Sequence, residues 1–173
     1  MSQEFYLATA LLVVALALPV VPVVLLFAKL DINVDAFIAQ AVKLIEAKKE
    51  DRLIHMGNRV PAAVVPQGVK GMVLASNAGM RDTVGFYQAF ENAIPPLFKL
   101  VTKWRLLNIL SIALAVLGGL ELLRVKTDVP QVLYILAGAV FLVVLVYELK
   151  FAKIKRNMKL AKEKIAALLV KNG

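Results

Sequence analysis

The segment LATALLVVALALPVVPVVLLFA, residues 7–28, decides the fold class of this chain. Its residues carry no charge, and Thr9 is the only polar side chain among them. At about 1.5 Å per residue, a helix of this length crosses the hydrocarbon core of a bilayer, which is about 30 Å thick. We therefore predict a first transmembrane helix within residues 1–28.

A cleaved signal peptide is the competing interpretation of this segment, because Ala15, Leu16 and Ala17 resemble a cleavage motif. However, the usual basic N-terminal region is missing, and Glu4 is the only charge before the apolar run. We therefore expect a retained span. Pro19 and Pro22 are expected to bend it, with neighbouring helices or water taking up the freed carbonyls.

Two further apolar runs predict a second span at residues 106–123 and a third at residues 129–147. The second run is short and reaches a usable length only when Glu121 and the leucines after it are included. The third is uncharged, with Pro130 at the expected first helical turn. A tight external turn, residues 124–128, is predicted between them.

The placement of basic residues predicts the orientation. Of the 173 residues, 60% are hydrophobic, the mean hydropathy is +0.75 and the net charge is +9. Eleven Lys and Arg residues lie in residues 29–105 and eight in the tail after residue 148, against two in the predicted external turn. The positive-inside rule then puts both large polar segments in the cytosol, with the N-terminus outside a bacterial-type inner membrane. Because the charge flanks apolar segments, we do not expect nucleic-acid binding.

The fold class predicted is therefore an all-α integral membrane protein. Residues 29–105 are expected to form short cytosolic helices joined by turns, with Asp82 or Thr83 as one helix cap. The third span is expected to continue as one long helix into a basic cytosolic tail, residues 148–173. That tail is interpreted either as an anchor against anionic membrane lipids or as a partner surface, through Lys150, Lys153, Lys155, Arg156 and Lys159.

Catalytic chemistry is not expected from this sequence. The chain has no Cys and a single histidine, His55, so a metal site built from Cys or clustered His is excluded. It also lacks the HExxH, GxSxG, P-loop and GxGxxG motifs. We therefore predict no catalytic residues, no metal and no cofactor.

The polar and small residues of the second and third spans are the functional candidates, because polar groups in hydrocarbon tend to face the interior of a helix bundle. They are interpreted either as close helix packing or as the lining of a pore. Glu121 is expected to be an interfacial carboxylate rather than a buried proton carrier. The candidates are Asn108, Ser111, Ala115, Gly118 and Gly119 in the second span, and Gln131, Tyr134 and Gly138 in the third.

The layout and several short motifs resemble the MotA/TolQ/ExbB proton-channel family, particularly its smaller ExbB and TolQ members. The layout is one span, a cytosolic segment, a closely spaced pair of spans and a helical tail. The motifs that carry the resemblance are Lys43-Leu44-Ile45-Glu46-Ala47, Asp51-Arg52, Pro61-Ala62-Ala63-Val64, Gly68-Val69-Lys70 and the approach to span two that ends in Trp104-Arg105-Leu106-Leu107-Asn108.

The resemblance implies a homopentameric ring whose second and third spans line a channel around the single transmembrane helices of a smaller ExbD-, TolR- or MotB-like partner. Proton or sodium flow would then drive a motor or energy transduction. The sequence departs from the family where hydroxyls are expected. Span two has Leu117-Gly118-Gly119 but neither Pro nor Thr, and span three has neither Thr nor Ser. A structural or scaffold subunit without ion conduction is therefore the alternative function.

Overall fold

The computed structural model describes residues 3–30, 32–124 and 131–172. Every regular element in these ranges is helical, and three of the helices are long and apolar enough to cross a membrane. The predicted all-α class is thereby confirmed, as is the presence of three helices that could span a membrane. The predicted external turn from residue 125 onward, and Pro130, lie outside the described residues. The elements are α1 (Gln3–Leu25), a π-helical turn (Leu26–Leu30), α2 (Val34–Glu46), α3 (Glu50–Arg59), α4 (Val64–Asn77), α5 (Thr83–Asn92), α6 (Pro96–Lys103), α7 (Arg105–Arg124) and α8 (Gln131–Asn172).

The chain divides into two compact units. Unit 1 consists of Met1–Phe27 and Val101–Phe151, and unit 2 of Ala28–Leu100 and Ala152–Gly173. Helix α8 contributes its first half to unit 1 and its second half to unit 2. The prediction that the third apolar run continues as one long helix is thus confirmed, with 42 residues in α8.

Unit 1 is built from the apolar helices α1, α7 and the first half of α8. Its core is a cluster of small and aliphatic side chains: Ala8, Leu12, Ala15, Ala115, Leu122, Leu133 and Val140. Outside that core, large apolar side chains such as Leu106, Leu123 and Ile135 are about 70% exposed. A soluble protein does not usually surround a small core with a contiguous apolar surface, whereas a membrane protein does so against lipid.

Unit 2 is a helical domain centred on α4. Val69, Met72 and Val73 of α4 are buried, as are Phe86 and Phe90 of α5. Gly68 lies directly against the ring of Phe90, so any side chain at position 68 would displace that ring. Ordinary hydrophobic burial therefore stabilises the segment between the first two candidate spans.

Side chains cap two helix ends in unit 2, the start of α5 and the end of α3. Asp82, one of the two predicted cap residues, accepts a hydrogen bond from the backbone N–H of Gly85 at 2.6 Å, and α5 begins at Thr83. The Gln67 amide donates to the carbonyl of Gly57 at 2.6 Å, at the end of α3. These caps satisfy backbone groups that a short helix leaves open.

The second half of α8 packs into unit 2 through its apolar stripe. Ile154, Met158, Ala161, Ile165 and Leu169 form this stripe, and all are buried. Leu149, earlier on α8, is 64% exposed and belongs to unit 1. The apolar face of the basic tail is thus occupied by protein, and its cations are what it presents to the surroundings.

Candidate functional site

One face of α7 contains four of the five candidates from the second span. Asn108, Ser111, Ala115 and Gly118 are all buried in unit 1, in line with Leu122 at helical spacing. Ala115 belongs to the core cluster together with Ala8, Leu12 and Ala15 of α1. Small side chains on both helices let the two backbones come close, as in small-xxx-small packing.

The two adjacent glycines of α7 differ in their surroundings. A Cβ atom added at Gly118 would lie 3.0 Å from Cγ of Leu12 and 3.3 Å from the carbonyl oxygen of Ala8. A Cβ atom added at Gly119 would meet no atom within 4 Å in the described part of the chain. The helix contact therefore requires a small residue at Gly118, and Gly119 lies beside open space.

Ser111 replaces a hydrogen bond that proline removes from α1. Pro19 has no backbone N–H, so the carbonyl of Ala15, four residues earlier, loses its helical donor. The Ser111 hydroxyl donates to that carbonyl. A neighbouring helix thus takes up a carbonyl freed by proline, which is one of the two outcomes predicted from the sequence.

A charged pair lies at the beginning of α7. The Arg105 guanidinium donates from Nη2 and Nε to the two carboxylate oxygens of Glu148, at 2.7 and 3.2 Å. The Asn108 amide Nδ2 lies 3.5 Å from Oε1 of the same carboxylate. Asn108 is 2% exposed, and its Oδ1 atom has no donor among the described residues. We refer to Arg105, Asn108, Ser111 and Glu148 as the polar cluster.

Two aromatic residues of α8 hold this end of unit 1 together. The buried Tyr147 hydroxyl donates to the carbonyl of Val101 at 2.8 Å, next to the break between α6 and α7. Phe151 stacks on Tyr147 with ring centroids 5.9 Å apart, and the Arg105 guanidinium lies 5.2 Å from the Phe151 centroid. The charged pair therefore lies against two buried aromatic rings.

The candidates from the third span lie on the outside of unit 1. Gln131, Tyr134 and Gly138 are all exposed, and Tyr134 retains 51% of its accessible surface. At the far end of α7, Glu121 pairs with Arg124 at 2.9 Å, as a carboxylate near a helix end can. The two sets of candidates therefore differ: the α7 set is mostly buried inside the chain, and the α8 set is open.

The basic residues of the tail divide between the two units. Lys150 belongs to unit 1, where its ammonium group lies 4.5 Å from the ring centroid of Phe27. Lys153, Lys155, Arg156 and Lys159 are exposed residues of unit 2. Lys162, half-buried, pairs with Glu91 at 2.5 Å and attaches α8 to α5. His55 is exposed on α3.

The groups of the polar cluster can form hydrogen bonds and ionic contacts with water or a small ion. The cluster offers one carboxylate, one amide and one hydroxyl, and the carboxylate is neutralised by Arg105. Within residues 3–30, 32–124 and 131–172, no three His, Asp or Glu side chains come together as metal ligands. Neither Glu148 nor Arg105 is among the site residues predicted from the sequence. The available signal was that Glu148 is the first charge after the third apolar run.

Comparison of the chain with protein-family models, with curated proteins and with solved structures found no match.

Proposed function

We propose that this protein is a stator-like subunit of an ion-driven inner-membrane motor or energy-transducing complex. In this proposal several copies form a ring around the transmembrane helix of a smaller partner. The sequence resemblance to the MotA/TolQ/ExbB family motivates the proposal. Both proposed cytosolic segments are then on one side of the membrane, with the N-terminus on the other.

The observation that carries the proposal is that two distant segments of the chain build unit 2 together. Residues 28–100, which connect the first two candidate spans, form one compact domain with the second half of α8. The first half of α8 is a candidate span in unit 1. In the proposal, force is transmitted through α8, which is one continuous helix of 42 residues.

The exposed candidates are the ones assigned to the ring interior. Gln131, Tyr134 and Gly138 of α8, and Gly119 of α7, are open in the single chain and available to a partner or an ion path. Ser111, Ala115 and Gly118 are assigned to packing instead, because α1 covers them. The carboxylate of Glu148 is the proposed ionisable group at the cytosolic end of the path.

Oligomeric state is the first test of this proposal. Native mass spectrometry and particle imaging of the full chain in a gentle detergent should give a five-fold ring. A monomer or dimer under the same conditions would contradict it.

Ion flux is the second test. In reconstituted vesicles, with the partner present if the ring requires it, Tyr134→Leu and Glu148→Gln should reduce proton or sodium flux. Val132→Leu is a matched control, since Val132 is also exposed on α8. Equal flux in all three variants would remove α8 from the ion path.

A scaffold subunit without ion conduction is the second candidate function, and one specific observation favours it. The only hydroxyl in the α7 stripe, Ser111, is already used by the carbonyl of Ala15. Water and ions require polar wall atoms to cross a membrane, and few remain on α7. A stable ring with no flux under any applied gradient would select this function.

A further inference from the structure

An apolar groove lies in unit 1 between α1 and the start of α7. Its volume is about 310 Å³, and it is open on one side. All the side chains that line it are apolar except for the indole N–H of Trp104. Its lining residues include Val14, Ala17, Val21, Pro22, Trp104 and Leu107.

Water is a poor occupant of this groove. The volume corresponds to roughly ten water molecules at about 30 Å³ each, and each buried water needs two to four polar partners. Aliphatic side chains and one indole ring cannot supply them. A hydrocarbon chain, in contrast, needs only apolar contact.

The Trp104 end of the groove lies beside basic residues of unit 1. Trp104 stands between Lys103 and Arg105 in the chain, and Lys103 is exposed. Arg105 contacts Glu148, and Lys150, two residues further along α8, lies over the ring of Phe27 in the π-helical turn that follows α1. The segment after α1, the start of α7 and the middle of α8 therefore lie at the same end of unit 1. Three cations surround it, with Glu148 as the carboxylate among them.

This charge selects among the apolar molecules that could fill the groove. Tryptophan prefers the boundary between hydrocarbon and headgroups, and cations near that boundary attract anionic lipid. A helix of a second copy would have to place a carboxylate beside Lys103 as well as fill the apolar groove, whereas an anionic phospholipid supplies both the apolar chain and the counter-charge. We infer that the groove holds one acyl chain of an anionic phospholipid, with its phosphate near Lys103. This inference requires insertion in a bilayer and does not require the proposed ion-driven ring.

The chain offers a direct probe, because Trp104 is its only tryptophan. Bromine atoms on an acyl chain quench indole fluorescence on contact. We would reconstitute the full chain in phosphatidylcholine vesicles that contain a small fraction of brominated phosphatidylglycerol, and compare them with vesicles containing the same fraction of brominated phosphatidylcholine. One lysine near the surface predicts about fivefold enrichment of the anionic lipid at the indole ring. Unbrominated phosphatidylglycerol should relieve the quenching, and unbrominated phosphatidylcholine should not.

Two variants locate the effect. Ala17→Phe should fill the groove and remove the excess quenching by the anionic lipid. Ala10→Phe is the matched control, since Ala10 is exposed on the same helix two turns earlier and is not among the lining residues. Lys103→Gln should leave quenching in place but reduce the preference for the anionic brominated lipid, because one of the three cations is removed.

Equal quenching of the wild-type chain by the two brominated lipids would overturn the inference. An unchanged preference in Ala17→Phe would also overturn it, as would an absence of quenching by either lipid. The competition experiment uses only the wild-type chain, so it decides the matter even if Ala17→Phe does not fold. Flotation of the vesicles separates failure to insert from absence of a lipid site, and the oligomer and flux tests of the proposed function are independent of both.

Discussion

The polar and small residues of α7 and those of α8 have similar compositions but opposite environments. On α7, Ser111 and Gly118 are buried against α1 within the same chain. On α8, Tyr134 and Gly138 face outward. The difference shows that a small-residue stripe in an apolar helix has no fixed role. Its role depends on whether the chain itself supplies a helix to cover it.

The largest effect on stability is expected at the adjacent glycines, and it tests this difference. Gly118→Leu would push its side chain into Leu12 and the Ala8 carbonyl, and overpacking of this kind costs about 1–3 kcal/mol or more. Gly119→Leu should be neutral or slightly stabilising, because glycine is a poor helix former. Thermal unfolding in detergent would measure both. Equal loss of stability in the two variants would contradict the packing of α7 on α1.

A smaller effect is expected at Ser111. Ser111→Ala leaves the Ala15 carbonyl buried and without a donor, which costs roughly 1–3 kcal/mol. In a Pro19→Ala background, the new N–H at position 19 can donate to that carbonyl, so Ser111→Ala should then cost much less. This double-mutant cycle is read from the unfolding free energies. A cost independent of residue 19 would mean that the serine does not repair the proline defect.

A still smaller effect is expected for the Arg105–Glu148 pair. Both side chains are partly exposed, at 47% and 37%, and exposed pairs contribute about 0.2–1 kcal/mol. Arg105→Gln should therefore lower stability only slightly and less at high salt, and Arg124→Gln, which breaks the pair with Glu121, is its matched control. A loss as large as that of Gly118→Leu would show that the pair holds the fold together.

The smallest effect on the single chain is expected on the open face of α8. Tyr134→Ala removes no contact of the chain's core, so the unfolding temperature of the monomer should stay within error. Its effect should instead be seen in assembly, as a shift from ring to smaller species in native mass spectrometry. A destabilised monomer would place Tyr134 among the internal packing residues, as on α7.

Local pattern was sufficient to predict the helical class and the three apolar helices, because length and hydropathy are properties of each segment alone. It was also sufficient for the cap at Asp82. The stripe of α7 was predicted as a set, but periodicity near 3.6 residues allowed either Gly118 or Gly119 on its face. The position of Leu12 on another helix decided between them.

The features that the sequence did not reveal depend on contacts between distant segments. Ser111 and Ala15 are 96 residues apart in the chain, and Arg105 and Glu148 are 43 apart. The apolar stripe of the basic tail could face lipid or protein by its pattern alone. In the structure this stripe faces the other helices of unit 2, and its Ile165 and Leu169 are buried. A single sequence shows which residue types are available for such contacts but not which residues pair with one another.

The arrangement of three spans with both basic segments on one side is the claim on which the proposed function depends. Because the chain has no cysteine, single-cysteine variants can be labelled from each side of sealed vesicles with a membrane-impermeant reagent. Gln3→Cys should react from one side, and His55→Cys and Lys171→Cys should both react from the other. Reaction of His55→Cys and Lys171→Cys from opposite sides would contradict the account.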